Sequence, residues 1–449
     1  MTAIHFDVAV LGAGPGGEAC AKQLAAAGLG VAIVERELVG GECAYWGCVP
    51  SKTLLRVPEA RLGARRIQGL SEPQQDWPEA RRYRDYMIQA LDDAGKCEEL
   101  ERCGVAVLRG EGQLAGPGAI AAGDQTIRAE RIVIATGSET SIPPLKGIDA
   151  IDYWTNREVY TCSEIPPSAI VLGGGAVGIE TAQMLRRYGS RVTIVEAAER
   201  LLSDEHPQIG ERIAKGLGEE GLELRLGANA TAVAGEDGRV TATLDSGELI
   251  TAERLIVAIG RKPRSEGIGL GSIEIETSES GAIEVDEHCR AAERVWAVGD
   301  VTNIAPFTHV AHYQARIACA DIRGRPISAD YRAVPRVVFT DPEVAAVGLT
   351  PERAKELDME IVEGEVELEK VARSEMYGVG ISGYFSVIAD ASRNVLVGAS
   401  AIGPLASEWI HLAVLAIRAE TPISVLRDTQ LQFPTFAEAF GYALDDLDI

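Results

Sequence analysis

The sequence has 449 residues, of which 46% are hydrophobic, and its formal net charge at pH 7 is -24. This length suffices for about three domains, and the negative charge argues against nucleic acid and anionic membranes as partners. No apolar run approaches the roughly twenty residues of a membrane span, and a strand pattern starts too early for a signal peptide. The eight cysteines suggest neither a disulfide scaffold nor a metal site. We therefore expect a cytoplasmic globular protein without a resident metal.

The first predicted unit is a strand, a glycine turn and a helix. An apolar run leads into the sequence GAGPGG, and a helical pattern follows. Gly12 makes the turn, Gly14 lets the backbone approach a pyrophosphate, and Gly17 permits close packing of the helix. The next apolar strand ends at Glu35, whose carboxylate can bond a ribose hydroxyl. A lone glycine turn would be weak evidence, but the complete unit predicts dinucleotide binding.

Two cysteines with four residues between them stand just ahead of another predicted helix. Cys43 and Cys48 can close a small disulfide ring, and Gly47 gives the backbone freedom between them. Pro50 and Ser51 open the helix, so a thiolate near its N-terminus would be stabilised by the helix dipole. A structural disulfide and a pair of buried thiols are the alternatives that these residues leave open.

With its flanking sequence, this stretch resembles the redox centre of the class I flavoprotein disulfide reductases, which include dihydrolipoamide dehydrogenase, glutathione reductase and mercuric reductase. The family pattern is G-G-x-C, four residues, then C-x-P-S-K, and it matches from Gly40 to Lys52. The resemblance implies a redox-active Cys43–Cys48 disulfide beside FAD, with Cys48 nearer the flavin and Cys43 attacking the substrate. The chain departs from the residues usual in the family at Glu42, Tyr45 and Trp46.

The resemblance continues through the FAD-binding part of the chain. The patterns predict a helix over 79–102, short strands at 105–108 and 126–128, and a buried strand that ends in an A-T-G. A later strand ends in a Gly-Asp pair, whose Asp the family uses for the ribityl chain of FAD. The FAD-binding residues implied in this way are Gly12, Gly14, Gly17, Glu35, Thr136, Gly137 and Asp300.

A second strand, turn and helix begin near residue 169 and predict a second dinucleotide. Gly173, Gly175 and Gly178 take the same roles as the glycines of the first turn. The following strand ends at Glu196, which can bond a ribose 2′-hydroxyl and would repel a 2′-phosphate. This unit is therefore predicted to bind NAD, with NADP as the less favoured cofactor; internal duplication without a second ligand is the alternative.

One ion pair is implied by the resemblance alone. It joins Lys52, at the end of the cysteine motif, to Glu180, just after the second glycine turn. A cation at that place would favour the negative charge that develops on a reduced flavin, whereas an ordinary surface pair would be worth little. The catalytic residues implied by the resemblance are Cys43, Cys48, Lys52, Glu180 and Glu438.

The C-terminal segment departs from the resembled family. There a His precedes Pro-Thr as acid and base, a Glu orients it, and the two reach across the dimer to the partner's disulfide. Here Phe433 occupies the His position, although Glu438 is retained. Phenylalanine cannot carry a proton, and general acid–base help is typically worth about a hundred- to ten-thousand-fold in rate. Ordinary dithiol chemistry is expected to be impaired unless Glu42, Glu438 or Tyr442 moves the proton.

The predicted fold class is α/β, with two Rossmann-like dinucleotide-binding domains and a C-terminal α+β dimerisation domain. The last part resembles the interface domain through which the family forms homodimers. The predicted domains are 1–150 for the first part of the FAD-binding domain, 151–270 for the NAD(P)-binding domain, 271–330 for the FAD-binding return segment, and 331–449 for the interface domain.

Three functions are compatible with these motifs. The first is an FAD-dependent oxidoreductase that passes electrons between NAD(P)H and a small-molecule or protein disulfide or dithiol through Cys43 and Cys48, with non-standard acid–base chemistry. The second is NAD(P)H-dependent reduction of a quinone, metal ion or other non-disulfide acceptor, or transhydrogenation between nicotinamides. The third is a non-catalytic flavoprotein. The intact cysteine pair and both glycine turns argue against the third function. The cysteine pair also argues against transhydrogenation, whereas Phe433 favours the second function, and we expect the first.

Overall fold

The computed structural model describes residues 4–449, which divide into two compact units built from discontinuous pieces of the chain. The first unit contains the chain up to Pro50 together with Tyr83–Ser141 and Gly260–Asp330. The second contains Ser51–Arg82, Ile142–Ile259 and Tyr331–Ile449. The helices Cys48–Arg66 and Trp77–Met87 contain two of the division points. The domain boundaries given above stay a prediction.

The first unit is organised around an eight-stranded sheet. Ile4–Leu11 lies in its middle, parallel to Gln125–Ile134 on one side and to Val31–Glu35 on the other. Parallel strands whose carboxyl ends meet at one edge form a natural binding crevice. The remaining strands are Arg290–Ala292, Val295–Ala297, Val105–Arg109, Gly112–Leu114 and Ala119–Ala122, and a separate antiparallel pair joins Ser138–Thr140 to Arg261–Pro263.

Two long helices of this unit contribute to one hydrophobic core. Cys20 and Leu24 of Pro15–Ala26 are fully buried, as is Ala318 of Thr308–Ile322. These apolar side chains pack with the strand residues that face the same side of the sheet. The helices that lie wholly within this unit are Pro15–Ala26, Gly41–Tyr45, Ala94–Arg102 and Thr308–Ile322, with short 3-10 turns at Gln89–Leu91, Leu270–Ile273 and Asp300–Thr302.

The second unit contains a four-stranded parallel sheet and a three-stranded antiparallel sheet, whose strands precede the last strand of the parallel sheet in the chain. The parallel sheet has the order Glu223–Arg225, Arg191–Val195, Ser168–Leu172 and Arg254–Val257. The antiparallel strands are Ala230–Glu236, Arg239–Leu244 and Leu249–Ala252, and the helices of this part are Asn156–Thr161, Ala176–Arg187 and Pro207–Glu219, with a 3-10 turn at Ile148–Ala150.

The C-terminal part of the second unit is a five-stranded antiparallel sheet covered by helices. Tyr384–Asp390 is buried along its whole length, and its Phe385 packs against Trp409 and Phe440. The strands in order are Pro335–Val338, Glu343–Gly348, Val395–Gly403, Tyr384–Asp390 and Ile361–Glu367. The helices are Pro351–Glu356, Ala372–Tyr377, Ala406–Trp409, His411–Arg418, Ile423–Arg427 and Glu438–Asp445, with a 3-10 turn at Leu368–Lys370.

The mixed sheet with its parallel central strands, the four-stranded parallel sheet and the α+β tail confirm the predicted fold class. Two local predictions were wrong. The helix expected over 79–102 is broken at Gln89–Leu91, where three successive non-glycine residues have φ values of 51–63°. The strand expected at 126–128 and the strand that follows it are one element, Gln125–Ile134. Its solvent-facing charged residues interrupt the apolar pattern without interrupting the strand.

Candidate active site

The first glycine turn is shaped by close backbone contacts. Gly12 has φ +101°, and a Cβ atom on it would lie 2.4 Å from the carbonyl oxygen of Ala135. A Cβ on Gly17 would lie 1.9 Å from the carbonyl oxygen of Gly12, so this residue lets the helix pack against the turn. A Cβ on Gly14 would meet nothing within 4 Å, and Gly14 lines a cavity. The space over Gly14 therefore suits a diphosphate.

Glu35 is fixed at the end of its strand by the backbone around it. Its Oε2 accepts a hydrogen bond of 2.7 Å from the N–H of Ala13, and its Oε1 accepts one of 2.8 Å from the N–H of Glu37. The carboxylate lines the same cavity as Gly14. Each oxygen keeps a further lone pair, so the group can accept hydrogen bonds from a ribose.

The far side of this cavity carries a short polar network. Ser138 Oγ donates to Asp300 Oδ2 at 2.6 Å, and Arg261 Nε donates to Ser138 Oγ at 2.8 Å. Arg261 also lies 3.8 Å from the carboxylate of Glu42. The cavity brings together six of the seven predicted FAD residues, whereas Gly17 acts in helix packing; the six are Gly12, Gly14, Glu35, Thr136, Gly137 and Asp300.

The cysteine motif consists of a short helix that lines this cavity and the start of a longer helix. Cys43 lies in the helix Gly41–Tyr45 and lines the cavity, whereas Cys48 is the first residue of the helix Cys48–Arg66. The connection depends on Gly41, because its φ is +62° and a Cβ on it would lie 2.7 Å from Gly14 Cα. The cysteine motif and the glycine turn are therefore in backbone contact.

The two cysteines are not joined by a disulfide in this structure, and their side chains are hydrogen-bonded to each other. The hydrogen bond with Cys48, burial, and the charge of the Cys48 thiolate raise the pKa of the Cys43 thiol above its usual range. A hydrogen bond from Thr308 acts in the opposite direction on that pKa. Thr308 Oγ1 also lies 3.7 Å from Cys48 Sγ, within hydrogen-bond distance for sulfur.

Sequence reasoning missed Ser138, Arg261 and Thr308 as members of this site. Ser138 directly follows the A-T-G and Arg261 stands two positions after an apolar strand, whereas Thr308 comes eight positions after Asp300. A polar residue next to such a motif is the only signal that the sequence offered for Ser138 and Arg261. Their common cavity depends on long-range folding, which spacing does not reveal.

The second glycine turn repeats the geometry of the first within the second unit. Gly173 has φ +109°, and a Cβ on it would lie 2.4 Å from the carbonyl oxygen of Ala258. A Cβ on Gly178 would lie 2.0 Å from the carbonyl oxygen of Gly173, and one on Gly175 would meet nothing within 4 Å. Gly173 therefore makes the turn, Gly178 allows the helix to pack against it, and Gly175 leaves open space, as in the first glycine turn.

Glu196 ends the strand beside this turn and is held as Glu35 is. It accepts hydrogen bonds from the N–H groups of Gly174 and Ala198, the latter at 2.7 Å. A carboxylate in this place can accept hydrogen bonds from ribose hydroxyls and repels a phosphate.

Lys52 and Glu180 meet as the resemblance implied. Lys52 Nζ lies 2.6 Å from Glu180 Oε2, and the other carboxylate oxygen accepts a 2.8 Å hydrogen bond from the N–H of Phe339. The Glu180 side chain is only 5% exposed, and the ammonium lies 4.9 Å from the centroid of the Phe339 ring. The pair is therefore held on both sides rather than formed by two mobile surface chains.

The C-terminal segment presents an apolar residue to solvent. Phe433 is 70% exposed, and Glu438 begins the helix Glu438–Asp445. The Glu438 carboxylate accepts a 3.1 Å hydrogen bond from the N–H of Thr435. Tyr442, one turn later, is 47% exposed. Proton carriers are present in this segment, but none stands at position 433.

Residues 4–449 contain neither a candidate metal site nor a helix that could span a membrane. No group of three or more His, Cys, Asp or Glu side chains there is placed to hold a metal ion. None of the helices in that range has the length and hydropathy needed to cross a membrane.

Comparison with known proteins decides the family. The model of the family described as "Pyridine nucleotide-disulphide oxidoreductase" matches residues 6–315, and that of its dimerisation domain matches residues 334–444. The chain belongs to this family. As a pyridine nucleotide-disulfide oxidoreductase, it is an enzyme of the disulfide reductase type that uses FAD and NAD(P)H, which confirms the family and cofactors expected from the sequence.

The relatives share almost the whole chain. A "Dihydrolipoyl dehydrogenase" of Thermus scotoductus is 33% identical over 453 residues, which cover 98% of this chain and 97% of that protein. A "Mercuric reductase" of Streptomyces lividans is also 33% identical, over 98% of this chain and 95% of that protein. Among solved structures, the HOCl-induced flavoprotein disulfide reductase RclA from Escherichia coli matches with a TM-score of 0.88 and 27% identity, covering 99% of both chains.

Proposed function

We propose that the enzyme transfers electrons from NADH, through FAD, to the Cys43–Cys48 pair and then to a disulfide substrate. The observation that supports this most directly is the shared cavity, because Cys43 lines it together with Gly14, Glu35 and Asp300. The residues suited to FAD and the reactive sulfur thus belong to one site. FAD, when bound there, supplies the hydride acceptor and passes on an electron pair.

The sulfur atoms carry the remaining steps. Two electrons break the Cys43–Cys48 disulfide and leave a pair of reduced sulfurs. The Cys43 thiolate attacks one sulfur of the substrate, which forms a mixed disulfide and releases one substrate thiolate. The Cys48 thiolate then attacks Cys43, releases the second substrate thiolate and restores the enzyme disulfide. In sum, NADH, one proton and a disulfide give NAD⁺ and two thiols.

The proton chemistry is proposed to differ from that of the resembled reductases because Phe433 cannot titrate. A substrate whose leaving thiol has a low pKa needs little proton assistance. Alternatively, Glu42, Glu438 or Tyr442 carries the proton. Turnover of the variants Glu42→Gln, Glu438→Gln and Tyr442→Phe decides among them, since an unchanged rate removes that residue from consideration.

Two further residue roles belong to this proposal. Glu196, held by two backbone N–H groups, favours NADH over NADPH because its carboxylate repels a 2′-phosphate. The Lys52–Glu180 pair supplies a fixed positive charge that favours negative charge on the reduced flavin.

The dimerisation domain at residues 334–444 supports a homodimer as the working form. Sedimentation of the purified holoenzyme tests this oligomeric state. A monomer at the working concentration would contradict this part of the proposal. The cytoplasmic location stays a prediction.

A second function is favoured by one observation, the exposed apolar Phe433 at the position of the missing base. Reduction of a quinone or a metal ion, or transhydrogenation between nicotinamides, needs no acid–base group for a leaving thiol. In this alternative the reduced flavin donates directly to the acceptor, and the two cysteines are dispensable.

One experiment separates the two functions. Purified holoenzyme is assayed with NADH and NADPH against lipoamide, small disulfides, quinones and Hg(II), beside a Cys43→Ser/Cys48→Ser double variant. The proposal requires a disulfide to be turned over by the wild-type enzyme and not by the double variant. If the best acceptor is reduced equally fast by both proteins, the second function is correct. A protein whose FAD is reduced by neither nicotinamide would instead be a non-catalytic flavoprotein.

A further inference from the structure

We propose that Thr308 is a further catalytic residue, whose hydroxyl donates a hydrogen bond to the Cys48 thiolate and thereby holds that sulfur in its reactive form. This inference rests on the proposed function, because it takes Cys48 to be a redox-active thiol. Thr308 is the first residue of the helix Thr308–Ile322, and its Oγ1 lies 3.7 Å from Cys48 Sγ. Its position at a helix start, beside the cavity that Cys43 lines, brings a hydroxyl to the reacting sulfurs.

The direction of the hydrogen bond follows from the ionisation of the sulfur. A hydroxyl is both donor and acceptor, so either atom can donate while Cys48 is a thiol. A thiolate has no proton, so the Thr308 hydroxyl, which is also within hydrogen-bond reach of Cys43, must then direct its one proton to Cys48. Hydrogen bonds to an ionised partner are roughly twice as strong as those between neutral groups. The contact therefore stabilises the thiolate more than the thiol.

Because Phe433 carries no charge, the hydroxyl of Thr308 should account for more of the stabilisation of the Cys48 thiolate than it would beside a cationic base. In the absence of a titratable group at position 433, the thiolate depends on groups of its own surroundings. Cys48 also begins a 19-residue helix, whose N-terminus favours negative charge. Thr308 adds a hydrogen-bond donor aimed at the sulfur to the electrostatic effect of the helix N-terminus.

The charged groups that line the cavity are seven carboxylates and four cations, so their net negative charge disfavours the thiolate that such a donor would stabilise. Glu42 lies near Arg261, and Asp300 is bound by the Ser138 hydroxyl. Lys52, one turn along the helix of Cys48, is paired with Glu180. The titratable and charged groups that line the cavity or the cysteine motif are Glu35, Arg36, Glu37, Glu42, Cys43, Glu111, Glu139, Arg261, Lys262, Arg264, Glu266 and Asp300.

The test measures the ionisation of Cys48 directly in the holoenzyme. In a Cys43→Ser background Cys48 is the single thiol of the motif, and its thiolate beside oxidised FAD gives a long-wavelength charge-transfer absorbance. Titration of this absorbance with pH gives the pKa of Cys48. Adding Thr308→Val, which keeps the shape and removes the hydroxyl, is expected to raise the midpoint by about one pH unit. Thr308→Ser, which restores a hydroxyl, should return the midpoint towards that of the background.

The outcomes separate this inference from the function on which it rests. An unchanged midpoint in the Thr308→Val variant would show that Thr308 does not stabilise the thiolate. A Cys43→Ser enzyme that holds FAD but gives no charge-transfer absorbance at any pH would instead contradict the placement of Cys48 beside FAD. If Thr308→Val does not retain FAD, Thr308→Ala is titrated in its place and read in the same way.

Discussion

The cysteine motif matches the residue pattern of the family more fully than the C-terminal segment does. In the motif, Cys43 and Cys48 are in hydrogen-bond contact beside a nucleotide-sized cavity. In the C-terminal segment, Phe433 stands where the resembled reductases carry a base, although Glu438 remains. Electron transfer through a disulfide requires two sulfur atoms, whereas proton transfer requires a titratable group. The chain thus keeps the residues that the proposed electron route needs and lacks the titratable residue that the resembled reductases use for proton transfer.

The largest expected effect comes from breaking the cysteine motif. Cys43→Ser or Cys48→Ser should each lower disulfide turnover by about a thousandfold or more, because either change removes a nucleophile of the exchange. Reduction of bound FAD by NADH, followed by stopped-flow absorbance, should persist in both variants. Cys103→Ser, at an exposed cysteine outside the motif, is the matched control. Disulfide turnover that survives either motif substitution would contradict the proposed electron route.

The next effect comes from restoring a base in the C-terminal segment. Phe433→His should raise the rate of dihydrolipoamide oxidation by about a hundredfold, the lower end of the range for general acid–base catalysis. Phe433→Leu, which removes the ring without adding a proton carrier, should give no such gain. The gain should shrink in Phe433→His/Glu438→Gln, because the new imidazole then lacks a carboxylate partner. Steady-state kcat of the four proteins measures this, and a histidine variant no faster than wild type would mean that protons do not limit the enzyme.

A smaller effect is expected at the nicotinamide site. Glu196→Ala should raise KM for NADH by about tenfold, since the ribose loses an acceptor, and should lower KM for NADPH because a repelling charge is gone. Glu236→Ala, at an exposed carboxylate of the same unit, should change neither constant. The ratio of kcat/KM for the two nicotinamides is the measurement. A ratio that stays constant would remove Glu196 from the basis of cofactor preference.

The smallest effect on turnover is expected from a buried carboxylate outside both regions. Asp321 accepts hydrogen bonds from Arg290 Nη2 at 2.6 Å and from Trp296 Nε1 at 2.8 Å. Burial alone would raise the pKa of this carboxyl, but these two hydrogen bonds and the guanidinium charge lower it. Its stabilising contribution is therefore complete above the usual Asp value of about 3.9 and is lost as the pH falls through the lowered value.

Asp321→Asn should consequently cost about 1–3 kcal/mol of unfolding free energy at pH 7. The difference from wild type should narrow at acidic pH, where the wild-type carboxyl is protonated as well. Urea unfolding at both pH values measures it. Turnover should stay near that of wild type, which separates a loss of stability from a loss of electron or proton transfer. If the difference in unfolding free energy between Asp321→Asn and wild type is the same at both pH values, it comes from altered packing or hydrogen bonding and not from the lost charge.

Local sequence patterns were enough to predict the fold class and the places of both glycine turns and of the carboxylates that follow them. Glycine turns followed by helices and apolar strands have strong signals, and Gly12, Gly173, Glu35 and Glu196 occupy the places that those signals indicate. The break at Gln89–Leu91 had no such signal, because its three residues adopt positive φ without a glycine. Thr308 was missed for a different reason: its contact with Cys48 joins residues 260 positions apart. Pairings of that length depend on packing rather than on neighbouring residues.

The contact between Gly41 and Gly14 means that the cysteine motif and the first glycine turn cannot vary independently at these two positions. An added methyl group on Gly41 would come within 2.7 Å of the Gly14 Cα atom. A library of random variants should therefore find Gly41 intolerant even though its lack of a side chain gives it nothing to react with. The glycine turn restricts which residues position 41 can accept, so we expect Gly41 to be retained even in relatives whose two cysteines have changed.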